Sequence, residues 1–362
     1  MIYILNLLLV PIYYGLLRWL LPRQKAHQWF VWAFAIHAIL FRALAYPFYF
    51  TDAPTYARAY YDISHFTFQH AFFERNNFTV WGRGYVALNW LLSRVSNDHI
   101  LLFVTLSVVS VGATIWFYAK TSYSFLLTVM LYLLYPMMYL MGCTALRQSL
   151  SMAVTLVALY YIKNYKVSLP LALLASLFHT SGIVFFPFFA WRKLKFKRLA
   201  HVEILALVIV AVVGMRIAIG YLVNMIDVVT LGRNSNFASQ GDGANIVPVL
   251  IMGSLIVLAM AEGLFRKCHG RDYEILNFLT YGFAISLFGL GLSGAGRLTV
   301  VFLYVVPVIV TYLYHYSKSL LTLNNIFVIL LFALFVRQMY YVHSDWVRNF
   351  NYKFYWEMPR SK

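Results

Sequence analysis

The chain has 362 residues, of which 62% are hydrophobic and 11% charged, with a formal net charge of +17 and a mean hydropathy of +0.71. Ordinary soluble domains carry about 25% charged residues, so this composition excludes them and describes a polytopic membrane protein. Two cysteines, Cys143 and Cys268, form neither a disulfide framework nor a metal-binding pattern. No cofactor, metal or nucleic-acid partner is expected.

The first apolar run starts at Ile2 with no basic segment before it and no cleavage site after it, which predicts a retained span rather than a signal peptide. Stretches long enough to cross the bilayer, about 20 residues each, lie near 2–20, 28–46, 99–118, 123–141, 144–163, 201–222, 246–264, 274–292, 297–315 and 321–341. These are ten predicted full spans in an all-α architecture, read as one membrane domain over 1–362. Two segments do not fit. The stretch 81–95, "WGRGYVALNWLLSRV", is short with arginines near both ends, and 167–190, "VSLPLALLASLFHTSGIVFFPFFA", has basic loops on both sides.

Short loops rich in Lys and Arg mark the cytoplasmic side, here "RWLLPRQK", Lys120, "KNYK", "WRKLKFKR", "FRKCHGR" and Lys318. All six share that side only if 81–95 is an outer interfacial helix and 167–190 enters and returns as a re-entrant hairpin. Each arm of about 10–12 residues then reaches roughly 15–18 Å, short of a full crossing. The tip, "HTSG", sits at membrane depth, where irregular backbone is tolerated only inside protein or against a watery cavity. The alternative is a single span kinked at Gly182 and Pro187.

This topology sorts the cations. The inner side holds six arginines and nine lysines, while the outer side and outer third of the membrane hold twelve arginines and only Lys353 and Lys362. Topology and anionic lipid account for the inner set. The outer set favours the planar, bidentate, always-charged donor suited to phosphate. Five outer arginines, Arg42, Arg147, Arg216, Arg297 and Arg337, fall within predicted spans with no Asp or Glu expected at their depth. An intramembrane charge costs about 2.5–3.5 kcal/mol on insertion scales. Their counter-ion is therefore expected to be a ligand; the alternative is that each snorkels to the headgroups.

Arg147 and Arg297 each open a predicted helix at the outer face, where unpaired N–H groups and the positive dipole end favour an anion. "GLGLSGAG" before Arg297 lets backbone approach a ligand closely. His179, at the hairpin tip beside Thr180 and Ser181, is the expected general base for a hydroxyl nucleophile. His37, in mid-span, reads as a packing residue. Asp52, in "TDAP", is the other candidate base or a turn-capping residue. The outer segment 46–98, dense in Tyr, Phe and Trp over 46–81, reads as an interfacial belt or as a platform for sugars and prenyl chain, with Tyr56 in it. The polar loop 223–245 reads as a lid or a bare connector.

The series "TDAPTY", "GYVALNWLL", "ALRQSLSMA", "LFHTSGIVFFP" and a late "GR" opening a span resembles the EpsG-type branch of the Wzy polysaccharide polymerases over nearly the whole chain. The "LRQ" and "FHTS" pair is its distinctive part. The resemblance implies a bacterial inner-membrane enzyme, helical, related in architecture to the metal-independent lipid-linked (GT-C-like) glycosyltransferases, with its active site facing the periplasm or cell exterior. The family's acid shortly before the "G-Y/F" is missing, since "WGRGY" has Trp81 and Arg83 there and Glu74 lies further upstream.

The implied substrates are undecaprenyl-pyrophosphate-linked oligosaccharides that become O-antigen, capsule or exopolysaccharide. A chain-length regulator and a flippase are implied partners. His179 and Asp52 would serve the acceptor hydroxyl, and Arg147 and Arg297, helped by Arg42, Arg216 or Arg337, the pyrophosphate. Gln148, Thr180, Ser181 and Tyr56 would contact substrate. No Asp-x-Asp pair on the outer side offers to hold Mg²⁺. Two other functions compete. An O-antigen ligase usually carries a larger late outer loop. A lipid-linked-sugar flippase needs cations through the full membrane depth and often internal repeats.

Overall fold

The computed structural model describes residues 2–45, 52–74, 81–139, 141–193, 246–289 and 295–316, with positions 210, 325, 332, 333 and 336. The described residues are helical, with no strand among them. The chain divides into two compact units, Met1–Ile183 with Ile329–Lys362, and Val184–Val328.

The first unit begins with α1 (Ile2–Leu20) and α2 (Arg23–Ala43), separated at Pro22, which precedes the first turn of α2. Three short helices follow: α3 (Ala53–Ser64), α4 (Phe68–Phe72) and α5 (Arg83–Ser93). The Thr67 side chain caps α4 by accepting the His70 N–H at 3.2 Å. The long α6 (His99–Thr121) is capped by Asp98, whose carboxylate accepts the Ile100 N–H at 2.9 Å. α7 (Phe125–Leu134), α8 (Pro136–Tyr139), α9 (Met141–Thr144), α10 (Leu146–Tyr160) and α11 (Tyr165–Phe178) complete it. α10 packs against α11 and α6, α6 against α2, and α2 against α1.

The faces of α1 and α2 show which solvent they meet. α2 buries Phe30, Phe34, Ala38 and Phe41 on one stripe and exposes Trp29, Trp32, Ile36 and Leu40 on another. α1 exposes Leu5, Leu9, Ile12 and Leu16. A helix apolar on both faces suits lipid outside and protein inside. Polar groups instead face inward as links between helices. Ser151 Oγ donates to the Ala175 carbonyl at 2.8 Å, Ser168 Oγ to Ala158 at 2.8 Å, and Tyr139 OH to Ala38 at 2.9 Å. Such bonds in membrane bundles contribute about 0.6 kcal/mol on average.

The second unit contains α12 (Phe185–Trp191), α13 (Ile246–Ala261), α14 (Leu264–Lys267), α15 (Arg271–Phe288), α16 (Ala295–Leu303) and α17 (Val306–Tyr316). Asp272 and Glu274 lie in the first turn of α15, where they suit the dipole. Glu274 pairs with Arg192 at 2.6 Å, and Trp191 Nε1 donates to Asn277 Oδ1 at 3.1 Å.

Two described helices are long and apolar enough for a full crossing, His99–Thr121 and Leu298–Tyr316, the latter running through α16 and α17. The expected span at 123–141 differs from what forms. α7 stops at Leu134 because Tyr135, in an extended conformation (φ −97°, ψ 105°), precedes Pro136, whose ring disfavours helical backbone before it. The chain then passes through α8 and α9 before α10 begins. The expected spans at 201–222 and 321–341 lie outside the described residues except for the isolated positions.

The segment 167–190 breaks at its expected tip. α11 ends at Phe178, His179 is extended (φ −155°, ψ 141°), and a 3-10 turn covers Thr180–Val184. A Cβ at Gly182 would lie within 2.6 Å of Ala175 C and Ser176 N. Seven residues of continuous helix would separate those atoms by about 10 Å. The chain therefore turns back on α11, and only glycine fits there. α5, with 11 residues, reaches roughly 16 Å and cannot cross the bilayer.

Candidate active site

Arg147 is the second residue of α10, and its guanidinium lies against two aromatic rings. Its Cζ lies 4.8 Å from the Trp81 ring centroid and 5.9 Å from that of Tyr56. Tyr56 in turn meets Trp81 at 5.3 Å and Tyr85 at 5.9 Å, both edge-on. Three elements thus supply the cage: α3, the residue pair before α5, and α5 itself. Ala145, at the cap position of α10, offers no side-chain acceptor, so the first-turn N–H groups face the same end as the guanidinium. Among the described residues Arg147 forms no ion pair, and its buried Nε has no hydrogen-bond partner.

The magnitudes show what is missing. Cation–π contact contributes roughly 0.5–2 kcal/mol, whereas an intramembrane arginine costs about 2.5–3.5 kcal/mol. Aromatic faces orient Arg147 without neutralising it. An anion does both.

Arg42, in the last turn of α2, is 5% exposed. Its Nη1 donates to Ser110 Oγ on α6 at 2.8 Å and to Ser149 Oγ on α10 at 3.1 Å. Nε and Nη2 are buried with no partner among the described residues. Any Cβ at Gly142 would collide with this guanidinium, so glycine makes its space. Arg42 is packed between helices and does not snorkel outward. Because Ser149 stands two residues after Arg147, both arginines reach the first turns of α10. Gln148 is buried between those positions.

The third component is the tip after α11. The Ser181 backbone N–H donates to His179 Nδ1 at 3.1 Å, and Ser181 Oγ lies 2.8 Å from the same nitrogen. Nδ1 is therefore an acceptor, and the neutral ring carries its proton on Nε2. Ser181 is buried, while Thr180 is exposed. This tip adjoins the aromatic cage through Gly82, which has φ +88° and whose Cβ would lie 2.5 Å from the Leu177 carbonyl oxygen and 3.1 Å from that of Phe178. A side chain there would separate α5 from the end of α11. The contacts thus run from Arg147 through Trp81 and Gly82 to the residue before His179.

Asp52 occupies the cap position of α3, but its side chain makes no capping hydrogen bond and is exposed. The Tyr56 N–H bonds the Asp52 carbonyl at 3.2 Å, placing this carboxylate one turn from the cage. Glu74, the upstream acid, pairs instead with His70 at 2.6 Å on the surface. His37 packs edge-on to Tyr13 at 5.9 Å, as a packing residue does.

Arg147 meets Tyr56, Arg42 reaches the same helix through Ser149, and His179 and Ser181 meet at the tip that follows Phe178, whose carbonyl abuts Gly82. Arg297 belongs to the second unit as the third residue of α16. Arg216, Arg337, the loop 223–245 and residues 290–294 of the glycine-rich turn lie outside the described residues. The sequence reading took Trp81 as the end of the aromatic segment and the place of an absent acid, and missed its contact with Arg147; it also missed Ser110 and Ser149. The signal available for Trp81 was "WGRGY", an aromatic residue next to a glycine at a close backbone approach.

No curated protein and no solved structure matches the chain. The EpsG family model matches residues 5–354, nearly its whole length. With the apolar helices described above, the match indicates a membrane protein of polysaccharide biosynthesis, of the glycosyltransferase-like polymerase kind. The chain belongs to the EpsG family.

Proposed function

We propose that this protein polymerises undecaprenyl-pyrophosphate-linked oligosaccharide units at the outer face of the bacterial inner membrane. The growing glycan leaves its lipid diphosphate and passes to a hydroxyl of a new lipid-linked unit. The observation that carries this reading is Arg147, a cation held by aromatic faces at an uncapped helix start, with no carboxylate paired to it among the described residues.

In the reaction the bond between the anomeric carbon and the diphosphate oxygen breaks, and its electrons leave with the lipid diphosphate. Arg147, with the unmade N–H groups of Arg42, stabilises the charge gathered there, as preorganised donors do in a water-poor site. Arg297, the third residue of α16, and Arg216 and Arg337 are the further outer arginines that the sequence offers to an anion. The lipid diphosphate is a competent leaving group, so the proposed mechanism needs no metal. Asp52 and His179 are the groups available to handle the acceptor's proton, and Tyr56 and Trp81 offer aromatic faces to a sugar ring.

The test is reconstitution of the purified protein with synthetic undecaprenyl-pyrophosphate repeat units and a chelator. A ladder of products differing by one repeat is expected. Products carrying a single transfer to a different lipid acceptor, and no ladder, would overturn polymerisation in favour of ligation.

A further inference from the structure

α5 carries two polar side chains on one face whose hydrogen bonding is incomplete among the described residues. Tyr85 and Asn89 stand four residues apart, hence one above the other on the helix, and both are 0% exposed. The phenolic oxygen of Tyr85 and Oδ1 of Asn89 are buried with no hydrogen-bond partner. Asn89 Nδ2 donates to the Tyr85 backbone carbonyl at 2.7 Å, which fixes the amide and turns Oδ1 away from that carbonyl. The amide also bears on the ionisation of the phenol, as do Tyr56 and the Arg147 charge, so all three lie within electrostatic reach of Tyr85. An amide N–H acts on the phenol's oxygen and leaves its hydrogen unspent. One donor, the phenolic hydrogen, and one acceptor, Oδ1, thus remain unused side by side. Buried polar groups are satisfied in the great majority of cases, so such a pair calls for a ligand group.

The chemistry of the pair selects what completes it. A phosphate oxygen would suit the phenol but set one acceptor against another at Asn89, and an ammonium would suit Asn89 alone. A hydroxyl does both, accepting from Tyr85 and donating to Asn89. We propose that Tyr85 and Asn89 form a subsite for a hydroxyl of the sugar attached to the lipid diphosphate, so that Arg147 holds the anion and α5 reads the sugar it carries. This rests on the polymerase reading of Arg147 and adds to it a sugar contact. The placement fits: Tyr85 meets Tyr56 at 5.9 Å and Trp81 at 6.2 Å, the two rings against which Arg147 lies. The first sugar is bonded directly to the diphosphate, which brings its hydroxyls close to the same guanidinium. Because both atoms are shut off from solvent, an analogue lacking the hydroxyl leaves them unpaired, the condition under which a site discriminates strongly.

Two readouts on the full-length protein in nanodiscs test this. Tyr85→Phe removes only the hydroxyl, so its melting temperature should equal or exceed that of wild type. A lower melting temperature would show that the hydroxyl is spent on an internal partner or a structural water, and would overturn the subsite. The second readout compares binding of bare undecaprenyl diphosphate with the same lipid bearing one glucose, galactose or N-acetylglucosamine. Wild type should bind at least one sugar-bearing lipid more tightly than the bare one. Tyr85→Phe should weaken that sugar-bearing lipid by roughly 10–100-fold and leave the bare lipid unchanged. Asn89→Leu should lose the same preference. Equal weakening of both lipids would make Tyr85 an anion contact, and a preference that survives in Tyr85→Phe would remove it from the site; either result overturns the proposal. A wild-type protein that makes no ladder but shows the Tyr85-dependent preference would contradict the polymerase reading and leave the sugar subsite standing.

Discussion

The guanidinium of Arg147 lies over the indole of Trp81, with Cζ 4.8 Å from the ring centroid. Stacking needs the flat face of the guanidinium, and a diphosphate needs its edge, so one arginine serves both at once. Lysine keeps the charge and loses both geometries. Arg147→Lys should fold, with a melting temperature near wild type, and polymerise at least ~10²-fold more slowly. Wild-type rates in the lysine variant would reduce Arg147 to a surface-seeking cation. The same substitution at Arg297 should have the same effect.

Trp81→Phe keeps an aromatic face and Trp81→Ala removes it. Cation–π contact of about 0.5–2 kcal/mol corresponds to roughly 2–30-fold in an equilibrium. Steady-state kinetics with lipid-linked units should show the alanine variant weakened by a factor in that range and the phenylalanine variant by less. Equal activity in both would mean that Trp81 does not hold Arg147.

How far the site can be read from sequence depends on the physics of each part. Arg147 and His179 stand out because charge and broken helix are costly at membrane depth, a cost visible in composition and spacing alone. Arg42 is legible as an intramembrane cation, but its contacts with Ser110 and Ser149 are not. Those residues are separated from it by 68 and 107 positions, and serines on α6 are equally suited to bonding their own helix. Trp81 is hidden for a different reason. Its role follows from Gly82 seating α5 on the end of α11, a tertiary contact that no local pattern encodes. The break of the 123–141 helix at Pro136 is local, and the rule for residues before proline sufficed to foresee it.

Asp52 is one of the two groups that the proposed mechanism offers the acceptor's proton, and its exposed, uncapping carboxylate is available for that. Asp52→Asn should bind lipid-linked substrate as wild type does and turn over roughly 10²–10⁴ times more slowly, the range for a lost general base. Binding by the purified variant, measured beside single-turnover rates, separates the two. If turnover survives, the carboxylate is not the base.

The re-entrant reading of 167–190 predicts that Lys166 and Lys193 share a face of the membrane. Single cysteines at each, probed with an impermeant thiol reagent in a background lacking Cys143 and Cys268, should label from the cytoplasmic side only. Labelling from opposite sides would make the segment a span with a broken middle.

The most direct measurement counts products. With purified protein, chelator and one synthetic lipid-linked unit, each new glycosidic bond should release one free undecaprenyl diphosphate, and both should vanish together in Arg147→Lys. Lipid diphosphate released without bonds formed, or a ladder undiminished in that variant, would contradict the account.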